Sequence, residues 1–131
     1  MRAIITIKGS KPINLEFQLD DSSTIKFIHD SVDNALSYDA NSYTGLEFTG
    51  VILKENKAAI LELLKWSLMT EGKDIYRPIN VKLSSTDDIL REYDFPEMFV
   101  VDYRETFKGE DSGTFKLTLN QRGKTDKVKV F

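Results

Sequence analysis

The sequence predicts a mainly β fold, a curled β-barrel flanked by a single α-helix. Most of the chain falls into short stretches in which apolar and polar side chains alternate with a period of two, as in strands that cover a core on one face. One stretch, 56–69, instead repeats its apolar residues at intervals of three and four. The patterns give about seven or eight strands, and sheets of that size tend to curl and close.

The densest strand signal lies between Leu90 and Phe107, where aromatic and β-branched residues dominate the second half. Pro96 lacks a backbone donor, so it belongs at a bulge or at the start of a strand. We therefore predict a short strand, a corner at Phe95–Pro96 and then a long strand. Alternation in the long strand predicts one bulky core-covering face, formed by Phe99, Val101, Tyr103, Glu105 and Phe107.

The first residues of the chain predict a β-hairpin. Alternation separates Ala3, Ile5 and Ile7 from their neighbours, and residues 9–12 supply turn chemistry. The second strand has a dry face and a wet face, which is typical of an antiparallel sheet covered on one side. Its dry face consists of Ile13, Leu15, Phe17 and Leu19.

Residues 20–43 leave two alternatives open. Ile25, Ile28 and Val32 fit a helical spacing, whereas residues 25–27 also fit a strand. Extended structure with a long loop is the favoured alternative. The segment 39–45 is rich in turn formers, which predicts an exposed loop of the kind that often holds partner contacts.

Alternation resumes at 46–53, where Gly50 indicates a bulge or a close approach of another group to the backbone. The stretch 56–69 then predicts the one helix, with Asn56 as N-cap and Gly72 as the C′ residue. Its core face is predicted from the spacing of Ile60, Leu61, Leu64 and Leu68, widened by Leu63 and Trp66. A single amphipathic helix must pack on the sheet.

The remaining elements are also strands. Residues 79–83 alternate, and Pro78 favours an edge or the beginning of that strand. The loop 108–113 joins the long strand to an alternating partner, 115–119, as a hairpin. The basic tail, 122–131, is either a short terminal strand with a lysine-lined outer face or a frayed end.

The totals limit the function classes. A chain of 131 residues predicts a single domain over 1–131, and a formal charge of −3 gives no global attraction to nucleic acid or anionic lipid. The chain has no cysteine, and no apolar run long enough for a signal peptide or a membrane span, so we expect a cytoplasmic protein without membrane insertion. Any export would need a dedicated machine.

No set of residues predicts catalysis. His29 is the only histidine and is expected to be a solvent-facing or hydrogen-bonded structural residue. Carboxylate pairs at 20–21, 87–88 and 110–111 fall in turns, where adjacent side chains point apart. Neither a metal-ligand spacing nor a phosphate loop is present, so we expect no enzyme activity, metal or cofactor.

Glu105 is the one unusual residue, because alternation places its carboxylate on an apolar face. Two alternatives stay open. The strand end reaches solvent at this point, or Glu105 meets a positive group or backbone donors at a subunit boundary. On the opposite face, Asp102 and Arg104 are spaced for an ion pair.

A resemblance to a known family rests on the second half of the chain, where the matching residues are Phe95, Phe99, Val101, Tyr103, Glu105, Phe107, the loop 109–113 and the strand 114–119. This pattern resembles the type VI secretion tube proteins (the Hcp or TssD family), which share the fold of contractile phage tail-tube proteins. The order of elements is also similar, with a turn-rich 39–45 before a strand and a helix carrying Leu64 and Trp66 before Gly72. The resemblance covers residues 1–119, whereas 20–36, 83–85 and the basic tail depart from the pattern.

The resemblance implies a tail-tube-like, Hcp-like β-barrel that assembles into a closed ring, usually a hexamer, and stacks into a hollow tube. The implied partners are copies of the chain itself and the sheath, spike or baseplate proteins of an injection machine, in which the protein is secreted or virion-associated. Open strand edges that join neighbouring copies are consistent with this assembly. Candidate subunit-interface residues are Tyr38, Asp39, Asn41, Tyr43, Gly45, Glu105, Lys108, Glu110 and Asp111.

Two alternative functions remain. The same fold serves equally as a baseplate or tube-cap adapter, which would not stack into tubes. A monomeric β-barrel that binds a small apolar ligand would need a pocket lined by residues such as Phe17, Phe48 and Tyr103, which fit a core equally well.

Overall fold

The structure, a computed structural model, describes residues 1–30, 43–109, 112–123 and 127–131. These residues form antiparallel strands and one α-helix. The strands are β1 (Arg2–Ile7), β2 (Ile13–Gln18), β3 (Thr24–Asp30), β4 (Tyr43–Val51), β5 (Arg77–Ser84), β6 (Ile89–Lys108), β7 (Ser112–Gln121) and β8 (Lys129–Val130), and the helix is α1 (Lys57–Ser67). A short 3-10 turn, Lys73–Ile75, precedes β5.

The strands form one sheet in the order β2-β1-β5-β6-β7-β4-β3, and β8 pairs with β6. The twenty-residue β6 lies in the middle of this order and connects its two sides. Its first half pairs with β5, and its second half pairs with β7. We call β2, β1, β5 and the first half of β6 half-sheet A. Half-sheet B consists of β3, β4, β7 and the second half of β6.

The two half-sheets face each other across one hydrophobic core. Phe17 of β2 lies 5.9 Å from Phe115 of β7, and Phe27 of β3 stacks on Tyr93 of β6 at 4.8 Å between ring centroids. Helix α1 packs against β2 and β6. The predicted barrel with one flanking helix is confirmed, as are the N-terminal hairpin, the strand character of 24–30 and the terminal strand in the tail.

Three bulges interrupt β6. One extra residue between Phe95 and Met98 breaks its register with β5, so Pro96 occupies a bulge, as its missing donor predicted. A second bulge at Val101 breaks the register with β7 between Val100 and Asp102. A third, at Leu90, breaks the register with β5 between Leu83 and Ser84.

The predicted core face of β6 is therefore partly wrong. The bulge at Val101 moves Val100 onto the core side and leaves Val101 51% exposed. Tyr103 does pack against the core, whereas Phe107, on the same side, extends beyond the core and is 69% exposed. A bulge adds one residue to a strand, so side chains counted by alternation from one side of the bulge are assigned to the wrong face on the other side.

The helix buries only part of the predicted apolar face. Its buried residues are Ile60, Leu63 and Trp66, whereas Leu61 and Leu68 are exposed. Trp66 fixes this rotation, since its indole N–H donates to the carbonyl oxygen of Ile75 at 3.0 Å. Asn56 is the N-cap residue, as predicted, although its side chain accepts from the N–H of Leu53 and does not cap the helix. The prediction for Gly72 is wrong, because the helix ends with Leu68 as its C-cap and Gly72 precedes the 3-10 turn.

Candidate assembly surface

Half-sheet B has two edges that no described strand covers. On one edge, β3 pairs with β4 only. On the other edge, residues 99–108 of β6 pair with β7 only, because the pairing with β5 ends at Met98 and β8 reaches only Tyr93 and Asp94. Unpaired backbone N–H and C=O groups on long strands are a template for another chain.

The face of half-sheet B that points away from the core is polar. Strand alternation puts the buried residues of β4 and β7 on the inner face and leaves hydroxyl and charged side chains on the other. The polar residues of this face, which we call the polar face, are Thr24, Lys26, Glu47, Thr49, Asp102, Arg104, Thr106, Thr114, Lys116, Thr118 and Asn120. The apolar Ile28, Val51 and Phe99 lie on the same face, near its ends.

Neighbouring strands place these polar side chains in cross-strand contacts. The hydroxyls of Thr24 and Thr49 lie 2.6 Å apart, and Lys116 Nζ lies 3.6 Å from Glu47 Oε1. Arg104 donates to Asp102 Oδ2 at 2.9 Å, which confirms the ion pair predicted from their spacing. Both ion pairs are exposed enough that each contributes little to stability.

Glu105 has a partner within its own chain. The Tyr103 hydroxyl donates to Glu105 Oε1 at 2.7 Å, a contact between residues two apart on the core-facing side. Burial, with the adjacent Glu105 carboxylate as second cause, raises the pKa of the Tyr103 hydroxyl. No cation of the described residues lies within ion-pair distance of Glu105.

The predicted interface residues do not form one cluster. Tyr43 is the exposed first residue of β4, and Lys108 is the exposed last residue of β6, at the opposite end of half-sheet B. Gly45 is buried, and a Cβ there would lie 2.5 Å from the carbonyl oxygen of Leu119. Tyr38, Asp39, Asn41, Glu110 and Asp111 lie outside the described residues.

Arg77 is a buried residue that was not predicted from the sequence, with 7% of its surface exposed. Its guanidinium stacks over Trp66 at 5.3 Å and donates to the carbonyl oxygens of Asp74 and Lys11. Hydrogen bonding from Ser10 lowers the pKa of the Asp74 carboxyl, and the Arg77 charge adds to this effect. Arg77 thus ties the end of α1, the 3-10 turn and the β1–β2 loop together. The available signal was alternation, which places Arg77 on the same face as Ile79 and Val81.

The remaining reactive residue types do not converge. His29 is exposed and its Nδ1 lies 3.1 Å from the Thr44 hydroxyl. Asp20 accepts from the N–H groups of Ser22 and Ser23 in a turn, and Asp88 lies in the exposed β5–β6 turn. Within the part of the chain that the structure describes, no three potential metal ligands cluster.

The helix of the described residues is too short and too polar to cross a bilayer.

Comparison with known proteins gives similarity in structure only. No family model matches the chain, and no curated protein matches it in sequence. Hcp1 from Flavobacterium johnsoniae superposes with a TM-score of 0.55 at 16% identity, covering 97% of this chain and 94% of that chain. A chain of the PVC sheath-tube complex, from an extracellular contractile injection system in its extended state, gives 0.54 at 15% identity and covers 99% and 88%. A chain of the anti-feeding prophage cap gives 0.52 at 11% identity and covers 97% and 87%.

The chain has the Hcp-like tube fold. The resemblance inferred from residues 95–119 is therefore confirmed at the level of the fold. The similar chains come from sheath-tube, cap and baseplate assemblies of contractile injection systems as well as from Hcp1. Each match covers nearly the whole chain, so the Hcp-like fold accounts for both half-sheets and the helix together.

Proposed function

We propose that this chain is the structural subunit of a ring-forming, stackable tube in a phage-tail-like or type VI secretion-like contractile injection apparatus. The observation that carries the proposal is the pair of different open edges on half-sheet B, formed by β3 and by residues 99–108 of β6. The fold similarity supports the same role. Function then resides in the shape and edges of the surface, without an active site.

The strand order favours a head-to-tail junction. Half-sheet B has four strands, and every neighbouring pair is antiparallel. Because the number is even, the β3 edge of one copy meets the β6 edge of an equally oriented copy in antiparallel pairing. The junction therefore repeats the pattern inside each subunit. Two different edges give a heterologous interface, which closes into a ring when the rotation between copies allows it.

The polar face lines the channel of such a ring. Packed sheets lie about 10 Å apart, so the layer nearer the axis has a circumference about 60 Å shorter. Half-sheet A, extended by β8, is at least as wide as half-sheet B. We therefore place half-sheet A and α1 in the outer layer of the ring, farther from its axis. The hydroxyls and paired charges of half-sheet B then face the lumen.

Further parts of the proposal follow from the family resemblance. We expect a hexameric ring, stacking of rings, and contacts with sheath, spike or baseplate proteins. Tyr43, Gly45, Glu105 and Lys108 remain proposed interface residues, together with those outside the described segments. Assembly takes place in the cytoplasm before the machine delivers the tube.

A cap or baseplate adapter is a second candidate, because similar chains come from such assemblies. The monomeric ligand-binding barrel is disfavoured. The residues proposed to line its pocket belong to the core, since Phe17 and Phe48 are buried and Tyr103 packs against them. The cavity of about 530 Å³ beside β2 includes Phe17 but neither Phe48 nor Tyr103.

Light scattering coupled to gel filtration, followed by negative-stain electron microscopy, tests the proposal. We expect rings that stack into tubes as the protein concentration rises. Rings that never stack would favour the cap or adapter. A strict monomer at all concentrations, with no ring in any image, would contradict the proposal.

A further inference from the structure

The polar face carries a charge pattern that specifies how copies join. Register pairs Lys26 with Glu47, Glu47 with Thr118, and Thr118 with Asp102. These four residues form one cross-strand row, which starts at the open edge of β3 and ends at the open edge of β6. We call it the charge row.

The two ends of the charge row have opposite charges. Lys26 is exposed, and no described carboxylate lies within 4.0 Å of its Nζ. Asp102 has a side chain that is 43% exposed and contacts Arg104 on one side only. Opposite charges directly across a strand pair stabilise it, whereas like charges oppose it.

We propose that Lys26 of one copy pairs with Asp102 of the next copy across a β3–β6 junction, and that this contact sets the register between subunits. The inference rests on the proposed function, since it assumes that these two edges meet. The partner is therefore a second copy of this chain.

Alternative registers are less favourable. A shift of two residues along β6 that keeps the polar faces aligned places Lys26 opposite Arg104, which brings two cations together. A shift of one residue would turn apolar side chains of one copy toward the polar face of the other. A shift in the other direction places Lys26 beside residues 98–101 of β6, which include no carboxylate.

Disulfide trapping tests the register directly, because the natural chain has no cysteine. Within one copy, residues 26 and 102 lie three strand spacings apart, about 14 Å, which is too far for a disulfide. Under oxidation, the double variant Lys26→Cys/Asp102→Cys is expected to form a ladder of covalent oligomers ending at the ring size. The matched control Lys26→Cys/Lys82→Cys, whose second position lies on half-sheet A, is expected to stay monomeric on a denaturing gel.

The outcomes separate the two proposals. A protein that forms no rings overturns the proposed function. Rings that do not cross-link through 26 and 102, or that cross-link better as Lys26→Cys/Thr106→Cys, overturn the inferred register while leaving the tube intact.

A charge swap provides a second readout that does not depend on oxidation. We expect Lys26→Glu to raise the concentration needed for half-assembly by about tenfold at low salt, because two carboxylates then face each other. Adding Asp102→Lys to that variant is expected to restore most of the assembly. Circular dichroism confirms folding of each variant, and the milder Lys26→Ala/Asp102→Asn serves if either charge reversal unfolds the chain. Assembly unchanged by Lys26→Glu would overturn the inference.

Discussion

At the scale of single residues, the contact between Tyr103 and Glu105 explains how a carboxylate is accommodated beside the core. Burial disfavours the charged phenolate, and the hydroxyl donates to the carboxylate at 2.7 Å, so the folded state holds the phenolic proton more tightly than the unfolded chain does. The pKa of Tyr103 is accordingly raised above its ordinary value of 10.0.

This raised pKa predicts a pH dependence. Above pH 10 the unfolded chain loses the Tyr103 proton while the folded chain keeps it, so the free energy of unfolding decreases as pH rises from there. Below pH 10 the contribution is fully present. Urea unfolding between about pH 8 and 11 measures the slope, and Tyr103→Phe is expected to flatten it. An equal slope in Tyr103→Phe would assign the effect to other groups, such as lysines.

At Gly45 and Gly50, neighbouring atoms of the same chain leave no room for a Cβ. A Cβ on Gly50 would lie 2.8 Å from a ring carbon of Phe115, and one on Gly45 would lie 2.5 Å from the carbonyl oxygen of Leu119. We expect Gly50→Ala to cost about 1–3 kcal/mol, because aromatic rings can shift, and Gly45→Ala to cost more, because a ladder carbonyl cannot. Chemical denaturation measures both, with the exposed Thr114→Ala as a control within about 0.5 kcal/mol of the natural chain. The reverse order would contradict this account.

At the scale of elements, the two leucine-bearing faces of α1 differ in energy. Leu63 is fully buried, whereas Leu68 is 70% exposed. Leu63→Ala is expected to lower the free energy of unfolding by about 2–5 kcal/mol, through lost burial and a cavity. Leu68→Ala is expected to change it by less than about 0.5 kcal/mol. Comparable losses in both variants, measured by urea unfolding, would mean that the helix is rotated from the orientation described.

In β6, local sequence predicts where the strand runs, but it does not predict which face each side chain occupies. Its composition predicted extended structure over nearly its full length, and Pro96 predicted an interruption. The second bulge, at Val101, has no proline or glycine to mark it. It follows from fitting β6 to β7 while the strand passes from half-sheet A to half-sheet B.

At the scale of the whole molecule, β8 joins the C-terminus to half-sheet A. The backbone groups of Phe131 and Glu92 exchange two hydrogen bonds, and Val128 packs against the core. The described part of the tail pairs with Tyr93 and Asp94 of β6, outside residues 99–108, and Val128 and Val130 line a groove with Phe27 and His29 of β3 without strand pairing to β3.

Deletion of residues 124–131 therefore separates stability from assembly. We expect the truncated chain to stay folded and to lose about 1–3 kcal/mol, because a few hydrogen bonds and one apolar contact disappear. Ring formation, measured by light scattering, is expected to persist. Loss of rings with a retained circular dichroism spectrum would show that the tail belongs to the subunit junction.

The sequence by itself determined most of the described strands, the helix α1 and most of the core, because the periodicity of side chains is a local property that burial on one face imposes. Alternation in 13–19 and 115–119, for example, needed no knowledge of the partners of either strand. Only the tertiary structure decided the rotation of α1, the bulge at Val101 and the burial of Arg77, since each depends on groups distant in the chain. The charge row also belongs to the tertiary level, because Lys26 and Asp102 share a row only after β3, β4, β7 and β6 have paired in register.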